Sequence, residues 1–498
     1  MKKVFFLFFI VVKSFSQAGT FDTTFDTDGI QTFCQSTVFD FVPVDAGIQS
    51  TGKIIQFCYS NNGSFYNFIR YNTDGSIDTN FGSNGMLTLT YNSLFQGQNL
   101  IRDFAVQSDD KILVAGSGTG VGVFIARYLP NGILDTSFNG VGYTTFHLGT
   151  SSEVLYNIVA QPDGNILVCG HSGGTANAPY FAVARITTNG VLDTTFGSGG
   201  IVLTAFSTYD STANSIAVQP DGKIIVGGVT KSTVTQVNVF ALVRFNPNGS
   251  VDTTFGTDGK VITSDINSPN YGITKLLVQP DGKIVAGGLS SSKMVMARYL
   301  PNGALDSSFG NNGVVFEAGF SSSSCDVVLQ PDGKLLQAGG TSVESFKIFR
   351  YTATGVLDST FANNANVFAA TYGWASTVLL QNDLKILVFG NNYTSDFSHT
   401  CAVVIRLNND VLGTEGFNKE EVGVFPNPSS GKINFITSAF NDKPFSIYVY
   451  NPLGQKVFEK TDETAKEAAI DLSELKAGTY FIMFSNNEKT ITKTIILN

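Results

Sequence analysis

Arginine recurs seven times along this chain at intervals of 52 to 59 residues. The seven residues are Arg70, Arg127, Arg185, Arg244, Arg298, Arg350 and Arg406. Each of the first six is followed eight positions later by an aspartate, at Asp78, Asp135, Asp193, Asp252, Asp306 and Asp358. Self-similarity at such a period is typical of repeat folds, in which each unit buries its faces against its neighbours.

The seventh arginine has no aspartate eight positions later, because that position is Thr414. The absent copy stands near the N-terminus, where Asp22-Thr23-Thr24-Phe25 has the same pattern as Asp193-Thr194-Thr195-Phe196. A chain that begins with the strand its last unit lacks can close into a ring, and closure removes exposed sheet edges. We therefore predict an all-β fold, a seven-bladed β-propeller closed by its N-terminal strand.

The spacing of eight between arginine and aspartate is explained by a hairpin. Pro130-Asn131-Gly132 fits a three-residue loop in which glycine takes the left-handed position, and such a loop sets Arg127 opposite Asp135. We predict this cross-strand ion pair in every unit, with Asp22 serving Arg406 across the closure. Because these residues repeat, we expect them to be scaffold.

Function is expected in the stretches that do not repeat. These stretches are rich in Ser, Thr, Gly and Asn and suit exposed loops on one rim. They are Gly116–Gly122, His171–Pro179, Thr230–Asn238, Ser290–Ser292, Thr341–Ser345 and Asn391–His399.

Charge and hydropathy exclude several classes of partner. The 498 residues carry a net charge of -9 with dispersed Lys and Arg, which opposes a nucleic-acid surface or an anionic membrane. Residues 1–16 resemble a secretory signal peptide with a basic start, a short apolar run and cleavage between Ser16 and Gln17. The apolar run is too short to span a bilayer, and we predict no transmembrane segment in the mature chain.

Five cysteines, Cys34, Cys58, Cys169, Cys325 and Cys401, form an odd set without CxxC spacing. This pattern indicates neither a zinc site nor a disulfide framework, and we expect buried thiols. A single bridge near the ring closure, Cys34 with Cys58 or Cys34 with Cys401, is compatible with the sequence.

The full repeat, QPDGK followed by a strand ending in Gly-Gly and then F-x-x-x-R-[YF]-x-x-x-G-x-x-D-[ST]-[ST]-F-G, resembles the delta-60 repeat family of predicted β-propellers. It covers about Phe21 to Leu412 and is fullest at residues 161–164, 219–222, 279–282 and 330–333. The family carries no assigned catalytic residues, so the resemblance implies the fold, over residues 17–412, and leaves the activity open.

A second domain follows a polar linker at residues 413–421. Residues 422–498 contain VFPNPSSGKINF, FSIYVYNPLGQKVFEK and a final run ending at Asn498. These segments resemble the C-terminal sorting domain of the type IX secretion system, and their alternation predicts a small Ig-like β-sandwich. The resemblance implies recognition by that secretion machinery and a secreted or surface location in a bacterium with an outer membrane.

The sequence offers little evidence of a catalytic or metal site. Gly170-His171-Ser172-Gly173-Gly174 matches G-x-S-x-G, but a nucleophile elbow needs a strand-to-helix turn that we do not expect here. Asp22, Asp26 and Asp28 resemble part of a calcium loop, although the repeat and turn chemistry account for them. We therefore predict no catalytic residue and no cofactor, with calcium as the alternative.

Two readings of function remain. We favour a non-catalytic scaffold whose exposed loops bind an extracellular protein or glycan. The alternative is a carbohydrate-active propeller enzyme, which needs two carboxylates at a defined separation. Its candidate carboxylates could line one rim of the channel, although the rule that isolated charges lie exposed favours solvated loops for them. They are Asp103, Asp210, Asp265, Asp326, Glu153, Glu317 and Glu344. Trp374 is the sole tryptophan, so tyrosines would have to supply most of an aromatic sugar platform.

Overall fold

A computed structural model divides the chain into two compact units, Met1–Asn409 and Asp410–Asn498. The described residues are 18–34, 40–60, 64–90, 94, 99–118, 120–149, 152–173, 180–206, 211–232, 235, 237–263, 272–290, 293–317, 325–341, 344–362, 366–369, 373–394, 399–409, 422–425, 429, 431–437, 443–451, 455–464, 467–486 and 490–497. The predicted signal peptide, with Ser16 and Gln17, and the predicted linker lie outside them.

The first unit contains seven four-stranded antiparallel sheets, numbered here in chain order. Strand β1 (Ile30–Phe33) belongs to sheet 7. Sheet 1 holds β2 (Val42–Ile48), β3 (Ile54–Tyr59), β4 (Phe65–Tyr71) and β5 (Met86–Thr90), and sheet 2 holds β6 (Asn99–Val106), β7 (Ile112–Gly118), β8 (Gly122–Tyr128) and β9 (Tyr143–Phe146). Sheet 3 holds β10 (Val154–Ala160), β11 (Ile166–Ser172), β12 (Tyr180–Ile186) and β13 (Ile201–Thr204), and sheet 4 holds β14 (Ser211–Val218), β15 (Ile224–Lys231), β16 (Asn238–Phe245) and β17 (Lys260–Thr263). Sheet 5 holds β18 (Ile273–Val278), β19 (Ile284–Ser290), β20 (Lys293–Tyr299) and β21 (Val314–Glu317), and sheet 6 holds β22 (Asp326–Leu329), β23 (Leu335–Thr341), β24 (Glu344–Tyr351) and β25 (Asn366–Ala369). Sheet 7 holds β26 (Ala375–Leu380), β27 (Ile386–Tyr393), β28 (Thr400–Leu407) and β1.

The strands follow the apolar runs of the repeat, and the turns follow its Pro, Asn and Gly. Gly132 takes a φ of 88°, the left-handed conformation that the hairpin pattern predicts. Leu129 N donates to Ile133 O at 2.7 Å, and Asp135 N donates to Arg127 O at 2.8 Å. The loop therefore sets Arg127 directly across from Asp135.

The first strands of the seven sheets contact one another in cyclic order, from β2 to β6 and onward to β26, which contacts β2 again. Apolar side chains of adjacent sheets interleave between them: Phe240 and Leu242 of sheet 4, for example, pack in one buried cluster with Ile284 and Val295 of sheet 5. Each sheet thus buries both faces against its neighbours, as repeat folds require.

Each sheet has two ends with different turns. At the lower end lie the turn between the first and second strands and the turn after the third strand. At the upper end the first strand begins and the second strand joins the third. We call these ends the lower and upper faces of the sheets. Several non-repeating stretches begin at the described ends of second strands, for example Ser172 of β11 and Thr230 near the end of β15, which lie at the upper face.

The N-terminal strand pairs with the last strand of the first unit. Strand β1 runs antiparallel to β28, with Phe33 opposite Ala402. Asp22 N donates to Arg406 O at 2.9 Å, and Asn408 N donates to Thr20 O at 2.8 Å, so residues 18–22 stand where the other sheets have a continuous hairpin. Sheet 7 is therefore completed by two segments from opposite ends of the unit.

A disulfide joins Cys34, directly after β1, to Cys401 of β28. Of the two pairings compatible with the sequence, the structure thus has Cys34–Cys401. Cys58, Cys169 and Cys325 are free and buried. The bridge lies one step beyond the β1–β28 ladder and connects the same two segments covalently.

The second unit contains two antiparallel sheets. One holds β29 (Val422–Phe425), β30 (Lys432–Thr437) and β33 (Glu467–Asp471), and the other holds β31 (Phe445–Tyr450), β32 (Lys456–Glu463), β34 (Gly478–Ser485) and β35 (Thr490–Leu497). Phe435 of the first sheet packs against Phe445 and Phe484 of the second, with the latter ring centroid 5.4 Å away. The unit is a small two-layer β domain with its core between the layers.

Candidate functional site

Every repeat arginine lies beside an aspartate at the lower face. The distance from arginine Nε to aspartate Oδ2 is 2.7 to 2.9 Å in all seven cases. The pairs are Arg70–Asp78, Arg127–Asp135, Arg185–Asp193, Arg244–Asp252, Arg298–Asp306, Arg350–Asp358 and Arg406–Asp22.

In each unit the arginine guanidinium also contacts a phenylalanine ring and the neighbouring sheet. Its carbon lies 4.4 to 4.7 Å from the ring centroid of the phenylalanine of the D-[ST]-x-F segment, for example Arg127 over Phe138. Such a cation–π contact stabilises by about 2 kcal/mol when it is shielded from water. Arg127 Nη1 donates to Thr188 O of sheet 3 at 2.7 Å, and Arg406 Nη1 donates to Thr73 O of sheet 1 at 2.6 Å. The arginine therefore connects each sheet to the next.

A lysine from the QPDGK turn adds a second cation to most of these aspartates. Lys283 Nζ lies 3.3 Å from Asp306 Oδ2, and Lys385 Nζ lies 3.3 Å from Asp22 Oδ2. Sheet 3 departs from this pattern because Asn165 replaces the lysine. Burial by itself would raise the pKa of Asp135, but the Ser137 hydrogen bond and the Arg127 charge outweigh it and lower the pKa to about 2.

The residues of the possible calcium loop have other partners. Asp22 binds Arg406, and Asp28 Oδ1 accepts a hydrogen bond from Ile30 N at 2.9 Å. Burial, with the charges of Asp28 and Asp74, raises the pKa of Asp26. Within the described ranges, no three His, Cys, Asp or Glu side chains come together in a group that could hold a metal ion.

The first strand of each sheet carries a polar side chain whose type differs from sheet to sheet. Each contributes one polar side chain at an equivalent register position, which in six sheets directly follows a β-bulge. We call this set the girdle: Asp45, Asp103, Asn157, Ser215, Lys275, Asp326 and Thr377.

Each member of the girdle reaches the next sheet in the cycle. Asp103 Oδ2 accepts from Asn157 Nδ2 at 2.7 Å and from Ile158 N at 2.8 Å. Lys275 Nζ lies 3.3 Å from Asp326 Oδ1. The other carboxylate oxygen, Asp326 Oδ2, accepts a hydrogen bond from Val378 N. The remaining links run from Asn157 to Ile216 N, from Ser215 to Leu276 N and from Thr377 to Asp45.

Asp45 and Asp103 close the cycle by sharing a hydrogen bond. Burial raises the pKa of Asp103 well above its usual range, and the Asp45 carboxyl raises it further. Burial also raises the pKa of Asp45, against the charge of Lys275. Two carboxyls in contact cannot both ionise easily, so each disfavours the charged form of the other.

The structure corrects one expectation about the acidic residues. Asp103 and Asp326 are 5% exposed and lie on β6 and β22, so the prediction that they occupy solvated loops was wrong. Both carboxylates bond to backbone amides of the next sheet, which is what permits their burial. Glu317 and Glu344 lie on β21 and β24, and Asp210 and Asp265 lie outside the described residues.

The Asp45–Asp103 pair does not fit glycoside hydrolysis. That reaction needs about 5 Å or more between two carboxyls so that the glycosidic bond lies between them, whereas Asp45 and Asp103 contact each other directly. Ser172 of the G-x-S-x-G match is fully buried at the end of strand β11, so its hydroxyl is not exposed to a substrate.

The upper face carries aromatic side chains that do not repeat. The rings of Tyr156 of β10 and His171 of β11 lie 5.6 Å apart, and the Arg102 guanidinium of β6 lies 5.9 Å from the Tyr156 ring. In sheet 7, the Trp374 and Tyr393 rings lie 6.4 Å apart. All four aromatic residues are partly exposed.

The other two histidines also lie at the upper face. His147 Nδ1 lies 2.9 Å from Glu153 Oε2, and His399 Nδ1 lies 3.6 Å from Asp40 Oδ1. Sequence reasoning did not single out Arg102 or Tyr156. A usable signal existed, because the chain has eight arginines and Arg102 is the one outside the repeat.

Comparisons with known proteins match two parts of the chain. A β-propeller domain of unknown function, DUF5122, matches residues 49–81, 107–138, 161–196, 219–255, 279–309 and 330–361. A secretion system C-terminal sorting domain matches residues 423–498. No curated protein matches the chain by sequence.

Several solved structures resemble parts of it at low identity. The BP39L lectin from Burkholderia pseudomallei is 9% identical with a TM-score of 0.43, and the match covers 76% of this chain and all of that one. A polysaccharide lyase of the PL25 ulvan lyase family is 10% identical with a TM-score of 0.42, covering 79% and 96%. A protein of unknown function from Bacteroides caccae is 11% identical with a TM-score of 0.34, covering 66% and 97%.

The family matches confirm the predicted repeat class and the predicted sorting domain. The sorting domain indicates recognition by the type IX secretion machinery and a secreted or surface-attached protein of a bacterium with an outer membrane. Among the described residues, no helix has the length and apolar character needed to span a bilayer. The chain is an exported β-propeller repeat protein, built from DUF5122 repeats and ending in a secretion system C-terminal sorting domain.

Proposed function

We propose that this protein is a non-catalytic binding scaffold displayed at or beyond the cell surface. In this proposal residues 17–412 form a seven-bladed propeller closed by the N-terminal strand. Residues 1–16 are a signal peptide removed between Ser16 and Gln17, residues 413–421 are a linker, and residues 422–498 are an Ig-like sandwich that directs export.

The closed ring is supported by the cyclic contacts of the first strands and by the two segments that complete sheet 7. The seven arginine–aspartate pairs support a scaffold role, because each arginine bonds within its own sheet and, as Arg127 does to Thr188 O, to the next. A rigid ring of this kind presents loops without needing them for its own stability.

The observation that carries the binding proposal is the pair of aromatic contacts at the upper face, Tyr156–His171 and Trp374–Tyr393. Both involve residues that the repeat does not require, and all four rings are partly exposed. Aromatic rings with one polar edge suit ligands that combine apolar faces with hydroxyl groups, such as sugars. The buried carboxyls of the girdle, by contrast, are fully occupied by inter-sheet bonds.

Trp374 gives a direct test, because it is the only tryptophan in the chain. A defined panel of soluble glycans is titrated into the mature full-length protein while tryptophan fluorescence and heat of binding are recorded. We expect at least one glycan to bind, and Tyr156→Ala or Trp374→Phe to weaken that binding. Ile133→Ala, at a lower turn where the side chain is 61% exposed, is the matched control and should bind normally.

Two outcomes would contradict the proposal. Binding that survives both upper-face substitutions would remove the site from this face. Shortening of a bound glycan during incubation, detected by mass spectrometry, would favour the carbohydrate-active enzyme instead. The proposed role of residues 422–498 in export is tested separately. Their deletion should leave the remaining protein in the periplasm, and normal export of the deletion variant would refute that role.

A further inference from the structure

Arg102 differs from every other arginine of the chain. The seven repeat arginines are each paired with an aspartate and stacked on a phenylalanine. Arg102 is exposed, and within the described residues its guanidinium makes no hydrogen bond or ion pair. Its one described contact is with the Tyr156 ring, 5.9 Å away across the boundary between sheets 2 and 3.

The adjacent carboxyl does not neutralise Arg102. Asp103 is turned into the girdle, where Oδ2 accepts from Asn157 Nδ2 and Ile158 N. Burial and the neighbouring Asp45 also raise the pKa of Asp103, which disfavours its charged form. Among the described residues, Arg102 is therefore a positive charge without an ion-pair partner, in a chain whose net charge is -9.

Stability does not account for this arrangement. An exposed cation–π contact stabilises a fold only weakly, and among the described side chains no carboxylate shares the interaction. The planar guanidinium presents paired N–H donors that match a carboxylate or a sulfate, and the half-buried Tyr156 ring lies next to it. The His171 ring, whose centroid lies 5.6 Å from that of Tyr156, adds a further ring with polar nitrogens to the same surface.

We propose that Arg102, Tyr156 and His171 bind an acidic glycan, with Arg102 gripping a carboxylate or sulfate group and Tyr156 packing against the sugar ring. This inference rests on the proposed binding function and specifies its ligand class. A sugar fits better than an acidic protein, because protein interfaces centre on buried apolar anchors. In the part of the chain that the structure describes, the large exposed apolar side chains lie mostly elsewhere, in lower turns such as Ile133 and on outer strands such as Phe316.

The test uses the mature full-length protein and four probes in calorimetric titrations. The probes are an oligogalacturonate, its carboxyl-reduced neutral counterpart, a sulfated oligosaccharide and a poly-glutamate peptide. We expect one of the two acidic glycans to bind, and which one binds distinguishes a carboxylate from a sulfate ligand. The neutral counterpart should bind at least about tenfold more weakly, since a charge-assisted bidentate contact is worth more than 1.4 kcal/mol. The peptide can offer a carboxylate to Arg102 but no sugar ring to Tyr156, so it should also bind more weakly than the acidic glycan.

Three variants connect this binding to the site. Arg102→Gln should weaken acidic-glycan binding by at least about tenfold, and Arg102→Lys, which keeps the charge but loses the paired donors, should be intermediate. Lys293→Gln is the matched control, because it removes the same charge from an exposed position at the upper end of β20 in sheet 5. Each variant should unfold at the wild-type temperature, which separates lost binding from lost folding.

The possible contradictions are distinct. The inference would be overturned if Arg102→Gln bound the acidic glycan as tightly as wild type does. It would also be overturned if wild type bound the neutral counterpart as tightly as the acidic glycan. If a neutral glycan binds through Tyr156 or Trp374, the inference fails while the proposed function stands. If poly-glutamate is the tighter ligand, the site recognises an acidic polypeptide and the glycan assignment is wrong. If none of the glycans binds, both proposals fail.

Discussion

Asp22 and Arg406 are 384 positions apart in the chain, yet Arg406 Nε donates to Asp22 Oδ2 at 2.8 Å. In the other six sheets the same bond joins residues eight positions apart, such as Arg298 and Asp306. The geometry is the same because Asp22 stands at the same place in sheet 7 as Asp306 does in sheet 5. A local hairpin contact has thus become the contact that joins the two ends of the first unit.

Replacing Asp22 should therefore destabilise the protein as much as replacing an internal partner. Asp22→Ala leaves a buried arginine without its carboxylate, which costs about 3 kcal/mol or more. Asp306→Ala is the matched comparison, because Asp306 also has both an arginine and a lysine partner. The shift of the urea unfolding midpoint measures both effects.

Asp221→Asn is the control for this comparison, because the Asp221 side chain is 58% exposed at a lower turn and asparagine keeps the acceptor for Lys223 N. It should change stability by less than about 0.5 kcal/mol. An Asp22→Ala protein as stable as this control would mean that the N-terminal segment does not support the fold.

The Cys34–Cys401 bridge should add to the stability of the closure. It spans 367 positions, and in the chain-entropy model a loop of that length stabilises by about 6 kcal/mol. We expect the double variant Cys34→Ser, Cys401→Ser to unfold at a lower temperature than oxidised wild type, and reductant to lower the wild-type value towards that of the variant. Reductant should leave the variant itself unchanged, and an equal effect on both proteins would assign the stabilisation to another cause.

Acid should unfold the protein between about pH 4 and pH 2. The folded-state pKa values of Asp135, Asp306 and Asp358 are lowered to about 2 from an ordinary value of 3.8. A lowered pKa means that the ionised group stabilises the folded state above the unfolded value, and that this stabilisation disappears as the pH falls through the folded value. The free energy of unfolding measured against pH should fall steeply across this window, and less steeply in Asp135→Asn.

The girdle gives a prediction of opposite sign for Asp103. Burial and the Asp45 carboxyl raise the pKa of Asp103 in the folded state, and Asp103→Asn keeps the shape, the acceptor for Ile158 N and a donor towards Asp45. A raised pKa means that wild type loses stability as the pH rises from the ordinary value of 3.8 towards the folded value. Asp103→Asn does not titrate, so it should match wild type near about pH 4 and gain stability relative to it as the pH rises. Asp103→Ala leaves a buried amide unsatisfied and should cost about 1–3 kcal/mol. If both variants were equally destabilised at pH 7, the pKa of Asp103 would not be raised.

The scaffold could be anticipated from sequence because it repeats. The constant spacing of Arg127 and Asp135 implied a hairpin, and the displaced copy at Asp22 implied a partner for Arg406. Because the same Arg–Asp spacing occurs in several units, the same contact could be inferred from each of them. The pairing of Cys34 with Cys401 could not be derived, because two arrangements were equally compatible with the spacing of the cysteines.

The girdle and the upper face could not be derived in this way, because their chemistry changes from sheet to sheet. Each girdle residue stands four positions before the glutamine of the next turn, as Asp103 does before Gln107 and Lys275 before Gln279. This spacing does not show that a β-bulge turns the side chain towards the next sheet. The expectation that Asp103 and Asp326 were exposed failed for a related reason, since their burial depends on backbone amides of the next sheet. Arg102 was detectable in principle as the arginine that the repeat does not explain.

Hydrogen–deuterium exchange of the mature protein tests the central claim, ring closure by the N-terminal strand, most directly. The amides of β1 (Ile30–Phe33) are compared with those of β17 (Lys260–Thr263), the equivalent outer strand of sheet 4. The account predicts similar protection of both strands, because each is bonded to the third strand of its sheet. Exchange of β1 within seconds while β17 remains protected would contradict it.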